Sequence, residues 1–350
     1  MRRLPIYFLV DVSESMAGTP IVEVQNGMRT IIQNLRVDPY ALETVFVSII
    51  VFAGKAEVLS PLTELYKFYP PVFPIGGGTS LGKGLDLLMD DIERNVRPTT
   101  IEEKGDWKPI VFLFTDGNPT DDYSRAFRRW NEKFRRRCNL IAVSIGENVN
   151  LLTLGQLTEN ILLLKDTDKE SFNRFFKWVT ASVKTSSEAV AENNTDELHL
   201  PSTSGINLEK VELASGYSAV DENFVVLHAR CQTTHNDYLV KYARRLPGEE
   251  GKRIMEMFAP TDYKLVGAYP IDRDRYASLS EGEGIGINTR DLRGVPTCPC
   301  CGNQIGIVLC ECGNLFCAGE SEDIKCPWCG AGGTLGEGKG EGLDITRGLG

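Results

Sequence analysis

The sequence predicts an α/β domain with a doubly wound, mostly parallel sheet, followed by a second, smaller β-rich domain. At 350 residues the chain is long enough for about two domains of roughly 150 residues each. In the N-terminal half, continuously apolar runs alternate with longer segments of helical period, as in a parallel sheet covered on both faces. The C-terminal half has short apolar runs separated by glycine and proline, and it holds eight of the ten cysteines between Cys298 and Cys329.

The buried strands of the first domain are predicted from its apolar runs, which are residues 5–10, 44–53, 109–114, 139–145 and 161–164. A helix is predicted over residues 81–92, where apolar residues recur at intervals of three and four and so share one face. These residues are Leu81, Leu85, Leu88 and Ile92. A last helix ending near Lys184 is predicted from Phe172, Phe175, Phe176 and Val179.

The domain boundaries follow from changes in composition. Residues 1–184 form the predicted α/β domain, and residues 185–205, rich in Ser, Thr, Asn and Glu without sustained periodicity, form a predicted linker. Residues 206–330 form the β-rich domain, with candidate strands at 224–228, 238–242 and 263–269. The glycine-rich residues 331–350 are predicted to be a disordered tail.

Charge and hydropathy exclude two classes of partner. The 48 acidic residues outnumber the 38 basic ones, which disfavours binding to nucleic acid. No apolar stretch approaches the roughly 18 residues of a membrane helix, and the apolar run after Arg2 and Arg3 stops at Asp11 without a signal-peptide cleavage site. We therefore expect a cytoplasmic protein, and in that reducing compartment clustered cysteines favour metal binding over disulfides.

Oxygen-bearing side chains gather at the predicted carboxyl ends of two strands. Asp11, Ser13 and Ser15 leave the first strand on the same side, and Asp116 follows the third. Thr79 lies in a glycine-rich loop before a helix. Two carboxylates and three hydroxyls suit Mg²⁺ or Mn²⁺ rather than zinc. Around a divalent ion they leave little surplus negative charge, so the ion can attract a partner's carboxylate.

The order Asp11-x-Ser13-x-Ser15, Thr79 and Asp116 in a Thr-Asp-Gly turn resembles the von Willebrand factor A domain and its metal-ion-dependent adhesion site. The resemblance covers residues 1 to about 184. It implies that Ser13, Ser15 and Thr79 lie closest to the metal, with Asp11 and Asp116 acting largely through water. We refer to these five residues as the adhesion site.

The C-terminal cysteines have the spacing of zinc ligands. Two Cys-Pro-x-Cys-Gly turns, called knuckles below, are predicted to converge on one structural zinc ion through Cys298, Cys301, Cys326 and Cys329. A second ion would take Cys310, Cys312 and Cys317, with a fourth ligand from Cys300, Cys231 or His228. One or two zinc ions both fit the sequence. Four acidic residues against one lysine over residues 298–330 oppose a nucleic-acid-binding zinc ribbon.

The segment beginning Cys231-Gln-Thr-Thr-His235, together with the cysteine series that follows, resembles the metal-binding domain of TerY-type von Willebrand factor A proteins. That resemblance covers residues 206–330. It implies a non-enzymatic component of a tellurium-resistance or stress-response system that also includes a serine/threonine protein kinase and a metal-dependent protein phosphatase.

The sequence therefore favours an adaptor whose Mg²⁺ binds an acidic residue of a protein partner, such as that kinase or phosphatase. Two alternatives belong to other classes. A Mg²⁺- or Mn²⁺-dependent phosphohydrolase would need a general base or a phosphate-binding arginine near the ion, for which the sequence has no motif. A metalloid sequestrant would instead act directly through the clustered thiols.

Overall fold

The computed structural model describes residues 2–116, 118–145, 151–164, 176–186, 208–209, 223–244, 262–282, 284–319, 324–333 and 342–349. In these ranges the first domain has seven strands. In chain order they are β1 (Leu4–Asp11), β2 (Val45–Phe52), β3 (Ala56–Glu64), β4 (Ile110–Thr115), β5 (Asn139–Ile145), β6 (Ile161–Leu164) and β7 (Leu208–Glu209). They form one sheet in the order β3-β2-β1-β4-β5-β6-β7.

The sheet is parallel except at its two edges, where β3 and β7 run antiparallel to their neighbours. This confirms the predicted doubly wound, mostly parallel fold. All eight residues of β1 are buried, which explains why the strand is a continuous apolar run rather than an alternating one. Phe8 of β1 belongs to the core on one face of the sheet, and Tyr7 and Leu9 belong to the core on the other.

Helices cover both faces of this sheet. They are α1 (Thr19–Arg36), α2 (Pro39–Thr44), α3 (Leu81–Asn95), α4 (Ser124–Arg129), α5 (Leu151–Gly155) and α6 (176–186). Residues from α1 and α6 pack in the core with Phe8, whereas residues from α3 and α4 pack in the core with Tyr7. Within the described ranges, no helix combines the length and apolar character needed to cross a bilayer.

Some features of the first domain differ from the sequence prediction. Strand β3 was not predicted, because it is a half-buried edge strand without a continuous apolar run. Helix α6 continues to residue 186, and its Phe176 and Val179 are buried as expected. Phe172, Phe175 and most of the predicted linker lie outside the described residues. Strand β7 pairs with β6, so residues 208–209 belong to the first sheet, although they were predicted to open the second domain.

The second domain is β-rich, as predicted. Its strands are β8 (Phe224–Arg230), β9 (Asp237–Ala243), β10 (Tyr263–Pro270), β11 (Ile285–Asn288), β12 (Leu292–Arg293), β13 (Ile305–Leu309), β14 (Leu315–Ala318), β15 (Ile324–Lys325), β16 (Gly332–Gly333) and β17 (Asp344–Arg347), with helix α7 (Arg273–Leu279) after β10. Six of them form a sheet in the order β12-β10-β9-β8-β14-β13.

The predicted disordered tail is wrong at residues 344–347. Strand β17 pairs antiparallel with β11, and Ile345 is buried in the core of the second domain. The backbone amide of Gly348 also donates to the carbonyl of Val226 in β8. The high glycine content concealed a short strand whose alternate side chains, Ile345 and Arg347, are buried.

The two domains are in direct contact at the carboxyl edge of the first sheet. A small apolar cluster joins Ala17 of the first domain to Val226 and Leu239 of the second. Beside it, the ring of Tyr269 lies where a Cβ atom on Gly18 would be, so a side chain at position 18 would prevent this approach. The second domain therefore packs on the edge of the sheet that carries the adhesion site.

Candidate metal centres

The adhesion site lies where the strand order of the first sheet reverses. Strands β1 and β4 are neighbours, but the chain leaves β1 towards β2 on one side and leaves β4 towards β5 on the other. Such a switch point opens a crevice at the carboxyl ends of the strands. Asp11 is the last residue of β1, and Asp116 directly follows β4. The site is thus placed by the topology of the sheet.

Hydrogen bonds connect four of the five predicted ligands. Asp11 accepts from the backbone amide of Ser13 at 2.9 Å and from the Thr115 hydroxyl at 2.6 Å. The hydroxyls of Ser13 and Ser15 lie 2.9 Å apart, and the Ser15 hydroxyl donates to Asp116 at 2.7 Å. These bonds hold both carboxylates and both hydroxyls in one network.

Thr79 provides the test of whether a metal ion fits this site. Its loop is tied to the loop after β4, because the backbone amide of Thr79 donates to the Thr120 hydroxyl at 2.9 Å. The Thr79 hydroxyl is itself buried, and it has no hydrogen-bond partner among the residues that the structure describes. A buried hydroxyl without a partner is costly. A cation held by the adhesion site would give this oxygen a partner, so the residues fit the ion.

The electrostatics of the site also favour a cation. Burial raises the pKa of Asp11 to about 7, and the neighbouring charge of Asp116 acts in the same direction. Burial likewise raises the pKa of Asp116, whereas Lys241 and the Ser15 hydroxyl act in the opposite direction. Two buried carboxylates that resist ionisation together are stabilised by a divalent cation bound between them. Hard oxygen donors of this kind suit Mg²⁺ or Mn²⁺.

The cysteines of the second domain form two groups of four. The buried cluster consists of Cys231, Cys298, Cys301 and Cys317, and the peripheral cluster consists of Cys310, Cys312, Cys326 and Cys329. In each cluster the four Sγ atoms lie within 4.8 Å of one another. All eight are free thiols in the structure.

This grouping corrects the prediction from the sequence. The two knuckles were expected to share one ion, but Cys298 and Cys301 lie in the buried cluster and Cys326 and Cys329 in the peripheral one. Cys317, predicted to join Cys310 and Cys312, instead belongs with Cys298 and Cys301. The prediction failed because the spacing of a knuckle fixes only its own two thiols, whereas the pairing of strands decides which knuckles meet.

The distances between sulfur atoms match a tetrahedral zinc site. With Zn–S bonds of about 2.3 Å, the edge of a ZnS₄ tetrahedron is about 3.8 Å. In the buried cluster, Cys317 Sγ lies 3.7 Å from Cys301 Sγ and 3.9 Å from Cys231 Sγ. In the peripheral cluster, Cys310 Sγ lies 3.6 Å from Cys329 Sγ. Four thiols at this spacing leave no open position, so both clusters suit closed, structural zinc sites.

Each knuckle has the same local backbone. The amide of Gly302 donates to the carbonyl of Cys298, and the amide of Gly330 donates to that of Cys326, both at 2.9 Å. Both glycines have positive φ angles, of 81° and 78°, which side chains disfavour. In the first knuckle, the backbone amides of Cys300 and Cys301 donate to the sulfur of Cys298.

Cys231 was one of the three candidates for a fourth zinc ligand. It begins a degenerate knuckle. The amide of His235 donates to the carbonyl of Cys231 at 3.0 Å, and His235 has a φ angle of 60°, as glycine does in the other knuckles. The turn carries Thr234 where a second cysteine would stand. The missing thiol is supplied by Cys317, because β14 pairs parallel with β8 and so brings Cys317 beside Cys231.

The other two candidates for a fourth ligand have different roles. Cys300 belongs to neither cluster found in the described part of the chain, and burial raises its pKa to about 12. The Nε2 atom of His228 lies 3.0 Å from the Asp237 carboxylate. Arg230 and Arg273 also bind Asp237, so this buried carboxylate holds His228 in a polar cluster rather than at a metal site.

Family models match both domains. The von Willebrand factor type A domain matches residues 6–177, and the TerY-C metal binding domain matches residues 221–350. The first match contains the complete adhesion site, and the second contains both cysteine clusters. The fold and its sites thus define a metal-binding protein of the von Willebrand factor A class. With its C-terminal TerY-C domain, the chain belongs to the TerY type of that class.

Solved structures that are similar to part of this chain are distant. Proximal thread matrix protein 1 from the mussel byssus, with a zinc occupied MIDAS motif, is 18% identical with a TM-score of 0.39, over 53% of this chain and 46% of that one. The PilB minor pilin from Streptococcus sanguinis is 13% identical with a TM-score of 0.37, over 53% and 62%. BatB from Bacteroides thetaiotaomicron is 13% identical with a TM-score of 0.36, over 52% and 99%.

The matched region thus spans about half the length of the mussel protein and less than two thirds of the pilin. No curated protein matches the chain at a significant level.

Proposed function

We propose that this protein is a non-enzymatic adaptor in which Mg²⁺, or Mn²⁺, at the adhesion site binds an acidic residue of a partner protein. The observation that carries the proposal is the buried Thr79 hydroxyl, which has no hydrogen-bond partner among the residues that the structure describes. Its loop is hydrogen-bonded to the segments after β1 and β4, which carry two serine hydroxyls and two carboxylates. Two carboxylates neutralise a divalent ion without excess. The bound ion therefore keeps its attraction for one more carboxylate, which a partner's Asp or Glu would supply.

The TerY-C domain supports the adaptor over the two alternatives. Two closed sets of four thiols suit structural zinc, which holds a small domain in shape. They do not leave thiols open for a metalloid, as a sequestrant would need. Among the residues that the structure places at the adhesion site, hydroxyls and carboxylates predominate, and none is the histidine or arginine that a phosphohydrolase would use on a bound phosphate.

The proposed setting is a cytoplasmic stress-response or tellurium-resistance system with a serine/threonine kinase and a metal-dependent phosphatase. This part rests on the resemblance to TerY-type proteins. In that setting the acidic partner residue would belong to the kinase or the phosphatase. Mass spectrometry of proteins captured by the full chain tests it directly, since the two enzymes should be recovered together with Mg²⁺ and lost without it.

Alanine at Asp116 is expected to reduce metal-dependent capture of those two enzymes to background. Asp116 accepts from Ser15 and supplies one of the two charges that would hold the ion. Capture would be compared with and without added Mg²⁺ on immobilised full-length chain. Magnesium is withheld rather than chelated, because a chelator would also remove zinc.

Asp122→Ala is the matched control, because Asp122 is an exposed carboxylate in the same loop. It should capture as wild type does. The adaptor proposal is contradicted if wild type and Asp116→Ala capture the two enzymes equally, or if capture does not depend on Mg²⁺. Mg²⁺-dependent phosphatase turnover that Asp116→Ala abolishes would favour the hydrolase instead.

A further inference from the structure

The second domain closes over the adhesion site. Around the site, the amide of Lys55 donates to the carbonyl of Leu279 at 2.9 Å, and the amide of Gly77 donates to the Ser280 hydroxyl at 2.7 Å. The acidic side chain of Glu14, next to the metal ligands, accepts from the hydroxyl of Tyr276. The end of α7 and the residues after it thus occupy the rim of the crevice on the side of the Thr79 loop.

Lys241 enters from β9 on the same face. Its ammonium donates to the backbone carbonyl of Ser15, and the residue is only 4% exposed. The ammonium also lies 4.4 Å from the centre of the Phe224 ring. Ser15 is itself an adhesion-site residue and its hydroxyl donates to Asp116, so the ammonium lies beside the proposed metal ligands.

A buried ammonium requires nearby negative charge. Asp116 supplies negative charge close to the ammonium, because it accepts from the hydroxyl of the same Ser15, and a divalent ion would use that charge as well. A metal ion at the adhesion site would repel the ammonium in a region where solvent screens little. Docking of the second domain, which brings in the ammonium, and binding of the ion therefore oppose each other electrostatically.

The burial of the adhesion site also indicates that domain docking opposes binding at the site. Each of the five adhesion-site residues is at most 4% exposed. A carboxylate on another protein cannot reach an ion at this position while the second domain remains docked. Separation of the two domains opens the crevice and withdraws Lys241.

We propose that the TerY-C domain is an intramolecular competitor of the adhesion site, and that Lys241 is its charged contact. The docked chain is closed to partners, and Mg²⁺ shifts it towards an undocked form that can bind them. This inference rests on the proposed function, because it assumes that the adhesion site receives an ion and an acidic partner residue. If docking of the TerY-C domain and Mg²⁺ binding are coupled in this way, each must weaken the other by the same factor.

Lys241→Met is expected to tighten Mg²⁺ binding on the order of tenfold, within the usual range of such couplings. Methionine keeps the packing on Phe224 but removes the charge. Titration calorimetry on the full-length, zinc-loaded protein would measure the affinity. Lys325→Met, which removes an exposed charge elsewhere in the same domain, and Lys241→Arg, which keeps the charge at the site, should both bind as wild type does.

Hydrogen exchange of the wild-type protein gives a second, independent measurement. The Lys55 amide donates across the domain interface, so Mg²⁺ should accelerate exchange in the peptide that contains it. Unchanged or slower exchange with Mg²⁺, or equal affinity of wild type and Lys241→Met, overturns the inference while leaving the adaptor intact. Failure of both proteins to bind Mg²⁺ contradicts the inference and the adaptor together.

Discussion

Alanine at Cys317 is expected to lower the zinc content from two ions per chain to one and to destabilise the TerY-C domain severely. Cys317 is fully buried in β14 and completes the buried cluster with ligands from two knuckles. Its cluster packs within the main core of the domain, beside Tyr238 and Leu227. Structural zinc contributes about 10–16 kcal/mol of apparent binding free energy in zinc-finger peptides at pH 7. This is as large as the free energy of unfolding of an ordinary domain, about 5–15 kcal/mol, so the loss of one ion should destabilise the domain severely.

Elemental analysis and thermal unfolding would measure both effects. Cys329→Ala should also leave one zinc ion, but with a smaller loss of stability, because Cys329 is exposed and its cluster lies outside the main core. Cys300→Ala is the matched control and should keep both ions, since Cys300 belongs to neither cluster. A Cys317→Ala protein that retains both ions, or a Cys300→Ala protein that loses one, would refute the assignment.

Valine at Thr79 is expected to have opposite effects on folding and on metal binding. Valine has nearly the shape of threonine and removes a buried hydroxyl that lacks a partner within the described structure. The metal-free protein should therefore gain about 1 kcal/mol in free energy of unfolding. Mg²⁺ affinity should fall at least about tenfold, because one ligand of the ion is lost.

Chemical denaturation without Mg²⁺ and calorimetric titration with it would test the two signs separately. Thr79→Ser keeps the ligand oxygen and should retain the affinity. A Thr79→Val protein that is less stable without metal would show that the hydroxyl has a partner in the metal-free state. Unchanged Mg²⁺ affinity would show that Thr79 is not a ligand.

The first domain could be predicted almost completely from its sequence, because its central strands are buried on both faces. Such strands appear as uninterrupted apolar runs, and Asp11 and Asp116 are conspicuous where two of these runs end. Strand β3 could not be predicted in the same way, because an edge strand with half-buried residues lacks that signature. The adhesion-site residues could be proposed because each follows a strand or precedes a helix that was itself recognisable.

The zinc clusters and the domain interface were less predictable, because both depend on contacts between distant segments. Knuckles are local and visible in the sequence, but the partnership of Cys231 with Cys317 arises only when β14 pairs with β8. Nothing in the sequence around Lys241 indicates that it contacts the adhesion site. It is one lysine in an apolar strand, and only the packing of two domains places its ammonium beside Ser15.

The two zinc clusters also differ in how far along the chain their ligands lie, and this affects the order of folding. Cys310 and Cys329 are separated by 19 positions, whereas Cys231 and Cys317 are separated by 86. Closing the longer loop costs roughly 1 kcal/mol more in chain entropy and must await a non-local strand pairing. In refolding, we therefore expect the peripheral cluster to bind zinc first, and the buried cluster to bind zinc only after the sheet has assembled.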